Sequence, residues 1–299
     1  MYRPLLIALC CCSALPSHAR AEQTLAPIWQ VSDADSSVYL VGSVHLLRPQ
    51  DLPLNPVFDQ TYELCSEVVF EIDMVEMLAP GTNERILRLG TLPDGERLAD
   101  RIGTEAAVKL AEYLEYKRLP PNALDRYTPG LAFLTIEHIE ATRQGADPDL
   151  GLETHFFERA KQDQKPSRGL ETIEFQISLF DQLDRATLQE MLETTLTEAK
   201  KDDGGKSALD QLIAAWRTGD MEALDNLIGE EMTDEAPLRK ILLTDRNRNW
   251  IPAIKAALAE NKTTFFLVGT AHLIGADSVV SLLDDKKHQI SRLAFVENE

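Results

Sequence analysis

Two segments of the chain repeat one pattern, VYLVGSVHLL at residues 38–47 and FFLVGTAHLI at residues 265–274. Each begins with a dense run of β-branched, aromatic and aliphatic residues, which predicts a buried strand. A glycine ends each run, and a histidine follows three positions later, His45 in the first copy and His272 in the second. A glycine allows a sharp turn, so both imidazoles are expected at the mouth of a sheet, where α/β proteins build their sites. One such histidine is usually structural, but the repetition favours metal binding or acid/base chemistry.

The remaining pattern predicts an α/β (α+β) fold. Further strands are predicted at 67–73 (EVVFEID), 165–171 (KPSRGLE) and 289–297 (QISRLAFVE). Apolar residues recur at helical spacing from about 100 to 260, which predicts a helical cap region. A mixed central sheet would thus combine N- and C-terminal strands in a single domain over 22–299.

Three local features complete this prediction. Residues 22–37 are expected to form a polar lead without regular structure. The segment KKDDGGK at 200–206 is expected to be a loop. Pro252 is expected to kink or restart the helix that contains it, because proline cannot donate a helical hydrogen bond.

The first 21 residues have the features of a cleaved secretory signal. Arg3 precedes an apolar run at 5–15, and Ala19-Arg20-Ala21 provides the small-residue pattern of a cleavage site. The apolar run is too short for a membrane span, so no stable membrane anchor is expected. The protein is expected to be exported, to the periplasm in a Gram-negative cell and otherwise to the medium.

Composition excludes several classes of partner and enzyme. The formal net charge of −19 repels nucleic acid and anionic membranes, so no nucleic-acid partner is expected. Three of the four cysteines lie in the predicted signal, and Cys65 alone cannot form an intramolecular disulfide. The sequence contains no H-E-x-x-H, G-x-S-x-G, Walker A, Rossmann glycine triplet or paired C-x-x-C. The sequence does not indicate an oligomeric state.

Three further residues are candidates for the site. Glu71 interrupts the apolar run VVFEID, and a buried carboxylate must be paired, metal-bound or neutral unless it marks the solvent edge of the strand. Two histidines and a carboxylate would leave metal positions open for water. Glu171 precedes a predicted helix, where an acid also commonly stabilises the helix terminus. Arg246 could stabilise an oxyanion or fix a carboxylate, although such a residue is more often part of a surface ion pair.

These motifs together resemble the TraB/GumN family, which includes the Tiki metalloproteases and is similar in fold to the ChaN and erythromycin-esterase-like proteins. The resemblance covers nearly the whole chain after residue 21. The two G-x-x-H elements are its most specific part. The segments occur in the family's order: YLVGSVH, VVFEID, GLETIEFQISLFD, AWRTGD, DRNRNW and FFLVGTAHL.

The resemblance implies a metal-dependent hydrolase acting on a peptide or small-molecule substrate, and we predict a peptidase. His45, His272 and Glu71 would hold a divalent ion, Mn, Co or Zn, that activates water. Glu171 would act as general base or fourth ligand, and Arg246 with Asn247 matches the family's Arg-Asn pair. An alternative is a non-enzymatic protein that binds a peptide or haem in the same cleft.

Overall fold

The structure is a computed structural model that describes residues 24–199, 207–231, 237–260, 262–284 and 287–296. The predicted signal at 1–21 and the predicted loop at 200–206 lie outside the described residues. Six strands form one sheet, and they are β1 (Leu25–Ser32), β2 (Ser37–Ser43), β3 (Glu67–Ile72), β4 (Ser167–Glu171), β5 (Thr264–Gly269) and β6 (Gln289–Ala294). Their order across the sheet is β4-β3-β5-β2-β1-β6.

The sheet is mixed, and its parallel part forms one edge at which strands end together. β4, β3, β5 and β2 run parallel to one another, whereas β1 is antiparallel to both β2 and β6. The carboxyl ends of the four parallel strands therefore meet at the same edge. The predicted α/β fold, with a mixed sheet built from N- and C-terminal strands, is confirmed.

The prediction of a polar lead before β2 was wrong. Residues 25–32 form β1, whose Ala26, Ile28 and Val31 are fully buried between its two neighbouring strands and the core. Pro27 lies where the register with β6 shifts, the kind of place where a strand tolerates proline. This irregularity interrupts the apolar pattern and hides the strand in the sequence.

Helices cover the sheet and build the region between β3 and β5. They are α1 (Pro56–Glu63), α2 (Met74–Met77), α3 (Thr82–Leu89), α4 (Leu98–Tyr116), α5 (Pro129–Arg143), α6 (Leu152–Gln162), α7 (Ile173–Ser178), α8 (Arg185–Glu198), α9 (Ala208–Thr218), α10 (Met221–Glu231), α11 (Pro237–Arg239), α12 (Asp245–Leu258) and α13 (Val279–Leu283). The predicted helical middle region is confirmed. Within the described ranges, no helix combines the length and apolar character that a membrane span requires.

The apolar side chains form two clusters. One surrounds the sheet and includes Phe156 of α6, Trp216 of α9 and Ile254 of α12. The other lies among α4, α5 and α8, with Ile102 and Leu192 at its centre. The helical middle region thus has apolar packing of its own.

Pro252 does not restart its helix, so this part of the prediction was wrong, whereas a kink at Pro252 stays a prediction. α12 continues from Asp245 to Leu258 with the exposed proline inside it. Trp250 and Ile254 on the opposite side are buried in the core, and this packing outweighs one missing hydrogen bond.

Candidate active site

The two copies of the repeated pattern lie on neighbouring strands. β2 and β5 pair in parallel in the middle of the sheet, and the register places Ser43 beside Gly269. The copies are offset by one residue, because the sequence alignment instead matches Gly42 with Gly269. Both strands end at the same edge of the sheet, which brings together the segments that carry His45 and His272.

Three side chains surround the Cα atom of Gly269. A methyl group placed on this Cα would lie 3.2 Å from Glu71 Oε1, 3.7 Å from His45 Nε2 and 3.7 Å from His272 Cδ2. Glu71 reaches this point from β3, and its Oε1 accepts a hydrogen bond of 2.7 Å from the Gly269 N–H. Glycine thus leaves open the space on which the three predicted metal ligands converge.

Asn247 fixes the orientation and the tautomer of His272. Its amide donates through Nδ2 to the backbone carbonyl of Asp277 at 3.0 Å, so its Oδ1 faces the ring. Oδ1 accepts a hydrogen bond of 2.6 Å from His272 Nδ1–H, which leaves a lone pair on Nε2. Arg246 Nη1 donates to this Nε2 at 3.1 Å. Burial, opposed by the charge of Glu71, lowers the pKa of His272 to about 3, so the ring is neutral at pH 7.

Glu71 is an ionised acid held by three donors. Arg246 Nη2 donates to Oε2 at 2.6 Å and Gln176 Nε2 at 3.2 Å, while the Gly269 N–H donates to Oε1. Burial opposes ionisation, but the Arg246 charge and the neighbouring groups hold the pKa of Glu71 well below its usual range. A negative charge is therefore present at the point where the histidines meet.

Glu171 anchors Arg246 together with Glu71, since Arg246 Nη2 donates to both carboxylates. Its carboxylate accepts from Arg246 Nε at 3.1 Å and Nη2 at 2.8 Å, from Trp250 Nε1 at 2.8 Å and from Gln176 Nε2 at 3.0 Å. Glu171 and Arg246 are both nearly inaccessible to solvent. In this arrangement Glu171 positions the guanidinium, and its action as general base or fourth ligand stays a prediction.

The start of α12 supplies two functional side chains in different directions. Arg246 reaches Glu171 and Glu71, whereas its neighbour Asn247 reaches His272. Trp250, one turn later, packs its ring 5.0 Å from the Arg246 guanidinium carbon. A π-helical segment at Lys240–Thr244 directly precedes this turn, a distortion that often occurs at functional sites.

His45 lies at the solvent side of the site. Its ring is 63% exposed, and its Nδ1 lies 2.8 Å from Glu153 Oε1. Ser43 Oγ donates to the same carboxylate oxygen at 2.5 Å. The Glu153 charge raises the pKa of His45 above its ordinary value, although solvent around the exposed ring weakens this attraction. His45 is thus the most accessible of the three residues that meet above Gly269.

The family model described as TraB/PrgY/gumN matches residues 27–292, which is most of the chain. The chain belongs to the TraB/PrgY/gumN family. This result confirms the family resemblance that the two G-x-x-H motifs indicated.

A curated relative of this TraB/PrgY/gumN chain is Metalloprotease TIKI1 of the zebrafish Danio rerio. The two are 22% identical over 318 aligned residues. The alignment covers 88% of this chain and 62% of the zebrafish protein, so the chain spans less than two thirds of that relative. No solved structure matches the chain.

The structure brings five of the six predicted site residues into direct contact with one another: Glu71, Glu171, Arg246, Asn247 and His272. The sixth, His45, has its ring at the solvent edge of this group. The residue types around Gly269, two histidines and a carboxylate, suit a divalent ion, but the His272 atom nearest this point is Cδ2 rather than a ring nitrogen. Across the described part of the chain, however, no three His, Cys, Asp or Glu side chains stand close enough to form a finished metal site. Arg246 instead donates to both Glu71 and His272.

Three residues of the site were missed in the sequence. Glu153 is in the first turn of α6, where acids commonly serve the helix terminus, so its identity carries no distinct signal. Gln176 and Ser43 are polar residues of ordinary type in segments that the motifs already contain. Only the fold reveals that they contact the predicted residues.

Proposed function

We propose that this TraB/PrgY/gumN protein is an exported metal-dependent hydrolase that cleaves peptides. The observation that carries the proposal is the convergence of His45, Glu71 and His272 above Gly269. Family membership and the zebrafish relative, which is named a metalloprotease, support a hydrolase of this kind. Export is proposed on the signal-like pattern at residues 1–21.

The three converging side chains fit a divalent ion by the chemistry of their donor groups, two imidazoles and a carboxylate. His45 and His272 would each provide Nε2, and Glu71 would provide Oε1. Asn247 accepts the Nδ1 proton of His272, so the lone pair lies on Nε2. Arg246 Nη1 donates to this lone pair at 3.1 Å, and it would have to release it before an ion could bind there. When bound, Mn, Co or Zn would supply a hydroxide nucleophile near neutral pH by lowering the pKa of a bound water.

Arg246 has two functions in this proposal. It stabilises the ionised form of Glu71 through a hydrogen bond of 2.6 Å. It also places a positive charge beside the reacting centre, where it can stabilise negative charge that develops on a substrate carbonyl oxygen. Glu171 and Trp250 hold the guanidinium in place for both functions.

The exposure of the site residues indicates the side from which a substrate enters. Glu71, Arg246 and His272 are largely buried, whereas the His45 ring is open to solvent. A peptide would therefore reach the buried carboxylate by passing His45. A site closed on its other sides also excludes bulk water, which strengthens electrostatic interactions inside it.

Metal content and cleavage would test the proposal together. The purified protein and the double variant His45→Ala/His272→Ala would be analysed by elemental mass spectrometry, with His138→Ala as control, because His138 is exposed on α5. We expect near-stoichiometric metal in the wild type and the control, loss in the double variant, and cleavage of a peptide library by the metal-loaded wild type only.

Two outcomes would contradict the proposal. Absence of metal after reconstitution with Mn²⁺, Co²⁺ and Zn²⁺ would overturn the metal-dependent mechanism. Bound metal with no cleavage of any peptide would favour the alternative of a binding protein.

A further inference from the structure

The orientation of the exposed His45 ring depends on one side chain outside the sequence motifs. Glu153 Oε1 lies 2.8 Å from His45 Nδ1 and accepts a hydrogen bond of 2.5 Å from Ser43 Oγ. The Glu153 side chain is only 17% exposed, so its carboxylate is enclosed while the ring that it contacts is open. Among the residues that the structure describes, Glu153 is the one hydrogen-bonding partner of the His45 ring.

The backbone holds α6 directly against the His45 loop. Gly151, the N-cap of α6, packs so closely that a Cβ there would lie 2.2 Å from the His45 carbonyl oxygen. Leu47 and Asp147 also form an isolated β-bridge, with the Asp147 N–H donating to the Leu47 carbonyl at 2.9 Å. The position of Glu153 relative to His45 is therefore fixed by main-chain contacts on both sides.

Glu153 differs from the other acid on the outer part of the same helix. Glu158 is 47% exposed and pairs with Lys161 in the manner of an ordinary surface ion pair. An acid that only stabilised the helix terminus would need neither burial nor a histidine partner. Burial of the Glu153 carboxylate instead requires partners, and Ser43 and His45 are the partners that it has.

The two histidines of the repeat thus have partners of the same geometry and different charge. Asn247 holds Nδ1 of His272 with a neutral amide oxygen at 2.6 Å. Glu153 holds Nδ1 of His45 with a carboxylate oxygen at 2.8 Å. In both cases the partner binds Nδ1, so Nε2 is the other ring nitrogen; His272 Nε2 accepts from Arg246 Nη1 at 3.1 Å.

We propose that Glu153, with Ser43, is a positioning residue that directs His45 Nε2 to the point above Gly269. A carboxylate that accepts the Nδ1 proton of a histidine fixes the orientation of the ring. It also makes Nε2 a stronger electron-pair donor to a metal. This inference deepens the proposed function and rests on it, since it assigns His45 as a ligand. Nothing in the sequence motifs assigns this role to Glu153.

Cobalt binding to matched variants would test the proposal. The purified protein would be stripped with chelator and titrated with Co²⁺, with binding followed by visible absorption and calorimetry. The variants are Glu153→Ala, Glu153→Gln and, as control on the same helix, Glu158→Ala. Thermal unfolding of each variant would verify that it is folded, and the glutamine variant retains the shape of the side chain if the alanine variant does not fold.

We expect Glu153→Ala to weaken Co²⁺ binding by about 10–100-fold. Glu153→Gln should recover part of this loss, because its amide oxygen still accepts from His45 Nδ1–H, and Glu158→Ala should stay within roughly twofold of wild type. The Co²⁺ absorption spectrum should change in Glu153→Ala, since one ligand is no longer oriented. Wild-type affinity in both folded Glu153 variants would overturn the proposal.

A second measurement separates this proposal from the proposed function. If wild-type protein binds no Co²⁺, the metal-dependent mechanism fails, and Glu153 is then tested by the hydrogen-bonded Nδ1 proton of His45 in the proton NMR spectrum. A resonance present in the wild type and Glu158→Ala but lost in Glu153→Ala would support positioning of the ring by Glu153. Its absence from the wild type would overturn it.

Discussion

Asn247 accepts the Nδ1 proton of His272 at 2.6 Å, and its own orientation is fixed by the backbone carbonyl of Asp277. Replacement of Asn247 by alanine would leave a buried N–H without its partner. We expect this to lower the free energy of unfolding by about 1–3 kcal/mol and to weaken Co²⁺ binding, because the ring is free to turn. Urea denaturation and Co²⁺ titration measure the two effects. Asn249→Ala, an exposed site on the same helix, should change neither.

Gly269→Ala tests the space on which the ligands converge. The backbone of Gly269 has φ of −52°, which alanine adopts without strain, so the fold should persist. The new methyl group would press on Glu71 Oε1 at 3.2 Å and contact His45 Nε2 at 3.7 Å. We expect Co²⁺ affinity and peptide cleavage to fall by at least about tenfold with little change in stability.

The control for this variant is Gly229→Ala in α10, where an added Cβ would meet nothing within 4 Å. This control should bind Co²⁺ normally and gain about 0.5–1 kcal/mol in helix stability. Unimpaired Co²⁺ binding by Gly269→Ala would argue against a metal site at this point.

Glu171→Gln tests whether Glu171 positions Arg246. The change removes one of two carboxylates that neutralise a buried guanidinium, and we expect the free energy of unfolding to fall by about 1–3 kcal/mol together with activity. Denaturation and peptide cleavage would be compared with those of Glu174→Gln, a more exposed acid paired with Arg85, which should lose less stability than Glu171→Gln. A large loss of cleavage at unchanged stability would instead favour the general-base role.

Glu67 should contribute to the pH dependence of stability. Burial opposes its ionisation, but hydrogen bonds from Lys262 and Thr264, each 2.8 Å long, lower its pKa below the ordinary glutamate value of 4.5. Since the folded-state pKa is the lower one, the stabilisation is present above pH 4.5 and is lost as the pH falls through the folded-state pKa.

Urea denaturation of Glu67→Gln and the wild type at pH 7 and at pH 3 would measure the stabilisation that ionised Glu67 contributes. The variant should be less stable than wild type at pH 7, and the difference should shrink at pH 3. An equal difference at both pH values would contradict the assignment. Glu105→Gln, at a solvent-exposed position of α4, serves as control.

The central strands and the converging residues could be predicted because their signals are local. β2, β3 and β5 are buried on both faces, so they appear as continuous apolar runs, and Glu71 stands out within one of them. Helical periodicity likewise predicted the middle region. β1 could not be recognised, because Pro27 and Gln30 break its pattern and its pairing partners are set by the tertiary fold.

The partners of the site residues depend on contacts between distant segments. Glu153 lies 108 residues from His45 in the chain, and Asn247 lies 25 residues from His272. Neither spacing is periodic, and an acid at a helix start or an amide in a helix has many ordinary uses. Only the packing of α6 and α12 against the strand ends assigns these residues to the histidines.

The two copies on β2 and β5 are offset by one residue, because Ser43 rather than Gly42 pairs with Gly269. Equivalent residues of the repeat therefore do not occupy symmetric positions in the sheet. A chain with the two decapeptides exchanged would keep its composition and almost all of its hydropathy. It would nevertheless place the Gly-Ser-Val-His element beside Asn247 and the Gly-Thr-Ala-His element beside Glu153. The two copies therefore have different surroundings: the Ser43 hydroxyl donates to Glu153, whereas the Thr270 hydroxyl donates to the Ser43 carbonyl.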